Sequence, residues 1–507
     1  DQPDTPTRTV AMVGGYRSTT PSRGYADDSM ERRTKIIATL GPSSSDQGVI
    51  DNLVGAGTDV FRINFSHGDH DVHRAQHERV RRAATESGMP VAVLQDIQGP
   101  KIRLGVFPGG FLDVADGDVV EVVADESAPP GVVPVVYPHL LEDVAVGERV
   151  ALADGLVLFR VEGVRDDRLL CRVEIGGRLG DRKGAAFPDS HLQVPSITPK
   201  DEVDLAFGRE LGFDYVAASF VRTGDDVRRV KDLAGGVPVI AKIELAAAVE
   251  NLDDILEVAD GAMVARGDLG VQLPLESIPV VQQDIIARTN RAGRLSITAT
   301  EMLESMTRSP RPTRAEVTDV ANAITSGTDA VMLSGETAVG DYPERVVSTM
   351  ARICLETDRS TAHESIAYFD TGGGFASATA RAAVEVATDM GLETIVAFTE
   401  SGTTALLLSK YRPDARIVGF TPVPEVYRRM ALYRGVLPRR FDRRETTDLM
   451  IAAAEKAIEK EGLADRDEVV VMVAGIPPNV QASTNLLKLH VIGERARRHG
   501  SQLSGHE

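Results

Sequence analysis

Residues 238–270 read PVIAKIELAAAVENLDDILEVADGAMVARGDLG. Two short apolar runs, 238–243 and 261–266, flank the amphipathic pattern NLDDILEVA. Near-continuous apolar strands joined by a helix signal a parallel βαβ unit with both sheet faces buried. Each run ends in charge: Lys242 and Glu244 at the first, Asp268 after ARG in the loop that follows the second. Period-two spacing sends Lys242 and Glu244 to the same side of an extended strand end. Two carboxylates offer hard oxygens to a divalent ion such as Mg²⁺, with Mn²⁺ as a substitute, and the lysine faces the anion that such an ion brings in. A small, phosphorylated substrate suits that combination.

Six further runs of the same kind surround this unit: 35–40, 59–65, 91–97, 214–220, 295–300 and 330–334. Helical patterns separate most of them, so the fold class is α/β, an eight-stranded (β/α)8 barrel with its chemistry at the C-terminal rim. The catalytic barrel is expected over 33–102 and 199–367. Residues 103–198 break the rhythm with Val-rich alternation and Gly or Asp at turns, which predicts an inserted all-β domain placed to act as a lid. From about 368 to 507 the helix and strand patterns begin again, predicting a C-terminal α/β regulatory domain. Residues 1–32 are rich in Pro, Gly, Ser, Thr and Asp and read as a flexible extension, and YFDTGGGF (368–375) reads as a linker.

The 507 residues carry a net charge of −19, which opposes nonspecific binding to nucleic acid or anionic membrane. Anionic substrates must then be held by local positive groups. Cys171 and Cys354 form no metal-binding or CxxC pattern, which fits two reduced thiols in the cytoplasm. No apolar run approaches the roughly 20 residues of a membrane helix.

Several strand ends carry candidate chemistry. In VFRINFSHG, Arg62 suits a phosphate contact, while Asn64 and Ser66 offer neutral oxygens to a cation or cap the next helix; His67 follows at the strand exit. LQDIQGPKIRLG supplies Asp96, Lys101 and Arg103, with Gly99-Pro100 as a hinge between two rigid bodies. Asp96 either anchors a cation or orients Arg62. Thr298 and Thr300 are placed near the same mouth, Thr300 being the better rim candidate, and Ser334 and Glu336 stand where protons could be relayed. In the C-terminal part, Thr399, Ser401, Gly402, Thr403 and Thr404 form a loop before the helix ALLLSK, able to cradle a phosphate.

Over roughly residues 33 to 490 the chain closely resembles the pyruvate kinase family, its specificity carried by the ordered motifs RTKIIATLGPSS, RINFSHG, QDIQGPKIR, KGAAFP, DYVAASFVR, AKIE, MVARGDLG, TATEMLESM, PTRAEVTDVANAI and AVMLSGETAVG. The resemblance implies phosphoryl transfer from phosphoenolpyruvate to ADP, giving ATP and pyruvate. It places Arg62 and Lys242 on the transferring group, Glu244 and Asp268 on magnesium, and Gly267, Asp268 and Thr300 among the substrate contacts. Ser334 and Glu336 fall in the proton-delivery region. Asn64, His67, Arg103 and Lys183 approach the nucleotide, and Asp154 supports the closed lid. Asn64, Ser66, Asp96 and Ile97, with Lys101, mark the monovalent-cation region. It further implies a homotetramer and a phosphorylated effector at 399–404.

Three departures from the family pattern stand out. Lys101 replaces a glutamate associated with potassium dependence, so its ammonium is expected to substitute for K⁺. The stretch GIPPNVQASTN (475–485) is less glycine-rich than the family's effector loop, which weakens an assignment to fructose 1,6-bisphosphate. Glu301 stands where many relatives carry glutamine. A magnesium-dependent aldolase or lyase acting on a keto acid, and a catalytically weak metabolite sensor, are the competing readings; the lid and the full motif series favour phosphoryl transfer.

Overall fold

The computed structural model describes residues 32–360, 374–476 and 484–493. The expected N-terminal extension up to residue 31, most of the linker 368–375 and the centre of 475–485 lie outside them.

Eight parallel strands close into a barrel in chain order: β1 Lys35–Thr39, β2 Val60–Asn64, β3 Ala92–Asp96, β4 Tyr215–Ala218, β5 Val239–Ile243, β6 Gly261–Ala265, β7 Leu295–Ala299 and β8 Ala330–Leu333. All eight expected strands are present, each shorter than expected by one to three residues. Seven of the eight end one or two residues early, where the chain turns from the ladder into the loops of the rim.

Alternation along each strand divides the barrel into two cores. Ile37, Val60, Leu94, Ala217, Ile240 and Met263 fill the interior. Their neighbours Ile36, Phe61, Val93, Val239 and Val264 pack outward against helices. The helix Pro343–Ser360 belongs to this outer layer, burying Val346, Val347, Met350 and Cys354.

Between β3 and β4, antiparallel pairing dominates. Strands from Phe111–Val114 to Ala185–Ala186 form a six-stranded and a two-stranded sheet around a separate core that includes Cys171. Both cysteines are free and buried.

The C-terminal part is a five-stranded sheet of β9 Thr394–Phe398, β10 Arg416–Thr421, β11 Val436–Arg440, β12 Val469–Ala474 and β13 Leu486–Val491. Its order is β11-β10-β9-β12-β13, and only the edge strand β13 runs antiparallel. Met430, Leu432 and Tyr433 join the same apolar cluster as the barrel interior. This part therefore closes the barrel end opposite the charged rim. Around that seam run buried ion pairs, Lys410 with Asp329 and Arg434 with Asp358 at 2.9 Å. Among the described residues no helix is long and apolar enough to cross a membrane.

Candidate functional site

The inward register carries charge at the C-terminal ends of β2, β3 and β5. Arg62 follows Val60, Asp96 follows Leu94, and Lys242 follows Ile240, so all three project into the barrel mouth. There they form a continuous chain. Arg62 Nε lies 2.6 Å from Asp96 Oδ2, Asp96 Oδ1 lies 3.3 Å from Lys242 Nζ, and Lys242 Nζ lies 2.8 Å from Glu244 Oε1. Arg62 also donates to Thr39 Oγ1 at 3.1 Å, and Lys242 donates to Ser219 Oγ at 2.8 Å. Of the two roles expected for Asp96, the geometry displays the orienting of Arg62.

Burial opposes the Lys242 charge, but Asp96 and Glu244 outweigh it and hold the ammonium above its ordinary pKa. Burial first, and then Asp268, push Glu244 up to about 7 against the pull of Lys242. Glu244 Oε2 accepts the Phe220 N–H at 2.8 Å, and Oε1 pairs with Lys242 Nζ at 2.8 Å. The repulsion between Glu244 and Asp268 is what a cation held by both carboxylates would relieve. Asp268 faces the same cleft of about 450 Å³, together with Lys101, Asp154 and Arg222. Among the described residues no group of three or more His, Cys, Asp or Glu is arranged to hold a metal. Two carboxylates match a Mg²⁺ whose other positions go to substrate and water.

Asp268 lies within the first turn of the helix Arg266–Gln272, a correction to its expected place in a loop. The Gly267 N–H donates to Thr300 Oγ1 at 2.8 Å, and Thr300 donates in turn to the Ala299 carbonyl at 2.7 Å. Thr300 and Glu301 have φ of 67° and 53°, which turns the chain back over the mouth. Thr298 was expected at that mouth and is not there. It has the outward parity of β7, is fully buried, and bonds Thr328 Oγ1 at 3.1 Å. Arg266 donates to the Thr300 carbonyl at 3.2 Å and pairs with Asp319 at 2.6 Å, a support that the strand pattern did not reveal.

After β8, Ser334 Oγ is buried without a hydrogen-bond partner. Glu336, fully buried, accepts the backbone N–H of Ser334 at 2.7 Å and of Leu303 at 3.1 Å, which ties the loops after β7 and β8 together. After β2, the Ser66 N–H donates to Asn64 Oδ1 at 3.1 Å. The next helix, His70–Ser87, is capped by Asp69, so Asn64 and Ser66 are not its caps. The His67 carbonyl meets His73 Nε2 at 2.8 Å.

Lys101 pairs with Asp154 at 3.3 Å and with Asp268 at 3.5 Å, bridging the β-rich insertion and the barrel. Those contacts set it beside the acidic wall of the cleft, whereas it was grouped with Asn64, Ser66 and Asp96. The Ile97 side chain is buried in core, leaving only its carbonyl for a ligand, and Ser219 Oγ already donates to that carbonyl at 2.8 Å. Arg103 and Lys183 are cross-strand neighbours: Arg103 bridges Gly184, and the Leu104 N–H donates to the Lys183 carbonyl at 2.8 Å.

Ser219 escaped the sequence reading although it stands in DYVAASFVR. Its signal is a lone hydroxyl at the inward position after Ala217. Phe220 beside it is also left-handed, with φ of 56°.

In the C-terminal part, Thr399 Oγ1 accepts the Gly402 N–H at 2.8 Å, and Thr404 Oγ1 pairs with Thr484 Oγ1 at 2.7 Å. Ser401 and Thr403 are exposed and 2.9 Å apart at their hydroxyls, with Thr403 and Thr404 in the first turn of the helix Thr403–Lys410 and not in the loop before it.

The chain matches the models for the pyruvate kinase barrel domain over residues 31–347 and the pyruvate kinase alpha/beta domain over 377–490. It is 42% identical over 476 residues to a pyruvate kinase of Geobacillus stearothermophilus, spanning 92% of this chain and 81% of that one. It is 44% identical over 472 residues to a pyruvate kinase of Mycobacterium intracellulare, spanning 92% and 99%. The crystal structure of a pyruvate kinase from Cryptosporidium parvum superposes with a TM-score of 0.84 at 34% identity, covering 92% of this chain and 97% of that one. With its barrel, its C-terminal α/β sheet and these likenesses across most of its length, the chain belongs to the pyruvate kinase family.

Proposed function

We propose that this protein transfers the phosphoryl group of phosphoenolpyruvate to ADP, releasing ATP and, once the enolate is protonated, pyruvate. The observation that carries the reading is the buried run Arg62, Asp96, Lys242, Glu244 at one barrel mouth, facing Asp268 in a cleft. A divalent ion, Mg²⁺ or Mn²⁺, bound by Glu244 and Asp268 supplies positive charge to the phosphoryl oxygens. Asp96 and Thr39 fix Arg62 through two of its nitrogens and leave the rest of the guanidinium for phosphate. Lys242 stays charged and offsets negative charge as the group moves. Thr300 and the Gly267 N–H form one side of the mouth against the substrate. Ser334, its hydroxyl buried without a hydrogen bond, suits proton delivery to the enolate, while Glu336 holds both rim loops in place.

The β-rich insertion acts as a lid, bringing Arg103, Lys183 and Asp154 over the nucleotide; Asn64 and His67 contact it from the barrel side. Lys101, between Asp154 and Asp268, supplies at the cleft wall the positive charge that a monovalent ion would otherwise bring, so the enzyme works without K⁺. The loop 399–404 receives a phosphorylated effector, and the assembly is a cytoplasmic homotetramer, measurable by light scattering. The functional test couples pyruvate formation from phosphoenolpyruvate and ADP to an independent pyruvate readout, with magnesium varied. ADP-dependent formation of both ATP and pyruvate is expected; pyruvate without ATP would mark a phosphatase and reject transfer.

A further inference from the structure

Two segments join the β-rich insertion to the barrel, 97–103 leaving β3 and 196–198 returning, and one carboxylate holds both. Asp201 is fully buried. Its Oδ1 accepts the Gly99 N–H at 3.1 Å, and its Oδ2 accepts the Thr198 N–H at 2.9 Å and the Thr198 hydroxyl at 2.6 Å. The second set is an N-terminal capping box of the helix Pro199–Leu211. Capping does not require the first, which reaches 102 residues back along the chain.

The outgoing segment is pressed onto the barrel at the same place. Gly99 has φ of +66°, and a Cβ there would meet Ser219 and Phe220 at 3.0 Å. Ser219 fixes the Ile97 carbonyl while accepting Lys242. Two residues past Gly99, Lys101 reaches Asp154 and Asp268. Asp201 itself rides on a helix whose Leu205 is packed in the outer barrel core. The carboxylate is therefore anchored to the rigid body, and its acceptors' partners belong to the connectors.

We propose that Asp201 is the pin of a two-stranded hinge, a positioning residue that fixes the axis on which the lid closes and so places Lys101 and Arg103 over the mouth. This rests on the reading of the insertion as a lid above a phosphoryl-transfer site. Loss of the pin acts on the substrate bound between lid and barrel more than on the one held by the barrel alone. Losing one hydrogen bond to a charged group corresponds to on the order of tenfold in an equilibrium constant.

The test compares Asp201→Ala with Thr198→Ala, which removes the hydroxyl half of the cap but keeps both backbone tethers. Asp201→Ala should raise KM for ADP by about tenfold and leave KM for phosphoenolpyruvate within about twofold, whereas Thr198→Ala should leave both near the parent values. Amide hydrogen exchange of the substrate-free protein should quicken at 97–103 and 196–198 in Asp201→Ala, and only at the helix start in Thr198→Ala. If Asp201→Ala does not fold, Asp201→Asn, whose amide oxygen can keep one tether, should give an intermediate rise in KM for ADP. Equal kinetic changes in the aspartate and threonine variants, or unchanged exchange at 97–103, would overturn the hinge. The exchange measurement needs no turnover, so it stands even if the parent protein forms no pyruvate.

Discussion

Reversing the charge of Lys101 tests how the mouth balances its acids. Lys101 Nζ lies 3.3 Å from Asp154 Oδ1 and 3.5 Å from Asp268 Oδ1. At an effective dielectric of about 20, each such contact corresponds to about 5 kcal/mol before solvation is counted. The side chains are 29%, 52% and 37% exposed, so solvent cuts this steeply, to about 1 kcal/mol per contact. Lys101→Glu turns two attractions into two repulsions, a swing of about 4 kcal/mol, or two to three orders of magnitude in rate if it falls on closure and transfer. A monovalent cation drawn between the three carboxylates would restore much of that. The assay is pyruvate formation in sodium-free buffer with K⁺ titrated from zero. The parent should be flat, and Lys101→Glu should be nearly inactive until K⁺ is added. Strong stimulation of the parent by K⁺, or a Lys101→Glu variant that ignores K⁺, would refute the reasoning.

Lys242→Met should lower kcat by at least about a thousandfold while KM for ADP changes only a few-fold, checked by steady-state kinetics on protein with native circular dichroism. Unchanged turnover with weakened ADP binding would assign Lys242 to nucleotide affinity instead. Asp268→Asn should raise the Mg²⁺ concentration for half-maximal rate by about tenfold or more, because one of two protein ligands loses its charge; an unchanged magnesium titration counts against the pair. His77 supplies a pH test of stability. Burial first, with Arg81 adding, lowers its pKa from 6.5 to about 4. The unfolded chain therefore binds a proton that the folded chain refuses, so stability is complete above about pH 6.5 and is lost as pH falls toward 4, by roughly 3 kcal/mol. His77→Gln should flatten the fall of Tm between about pH 7 and about pH 4.5; parallel curves for both proteins would exclude His77 as the cause.

What sequence could show followed from periodicity. Val60-Arg62 and Ile240-Lys242 keep the inward parity of apolar strands, so a charge at the next inward position had to reach the mouth. The same rule places Thr298 outward, and only a left-handed turn at Thr300 and Glu301 brings the next residues back; nothing in TATEML announces positive φ at non-glycine residues. Contacts between separately folded parts were the other loss. Lys101 with Asp154, and Asp201 with Gly99, join segments about 50 to 100 residues apart whose docking no local pattern encodes. Asp201 was hidden further because TPKD already satisfies a helix cap.

Two buried lysines show how the fold assigns charge to its two ends. Lys242 faces two carboxylates, Asp96 and Glu244, and burial does not remove its proton. Lys410, at the seam with the C-terminal sheet, is lowered to about 8 by burial, because its one carboxylate, Asp329, is shared with Arg412 at 3.6 Å. Both lysines are nearly inaccessible, so the number of acids, not depth, separates them. The excess of acid at the mouth suits a divalent cation and keeps Lys242 protonated. At the seam, Lys410, Arg412 and Arg434 outnumber Asp329 and Asp358. Its acids hold geometry: Asp329 precedes β8 and accepts the Ser296 N–H of β7 at 2.8 Å. Because buried pairs of this kind contribute little net stability but break expensively, their effect is to hold one docking register between the barrel and the sheet. The helix Thr403–Lys410 begins at the 399–404 loop and ends on that pair, so one helix joins the loop to the residue that precedes β8.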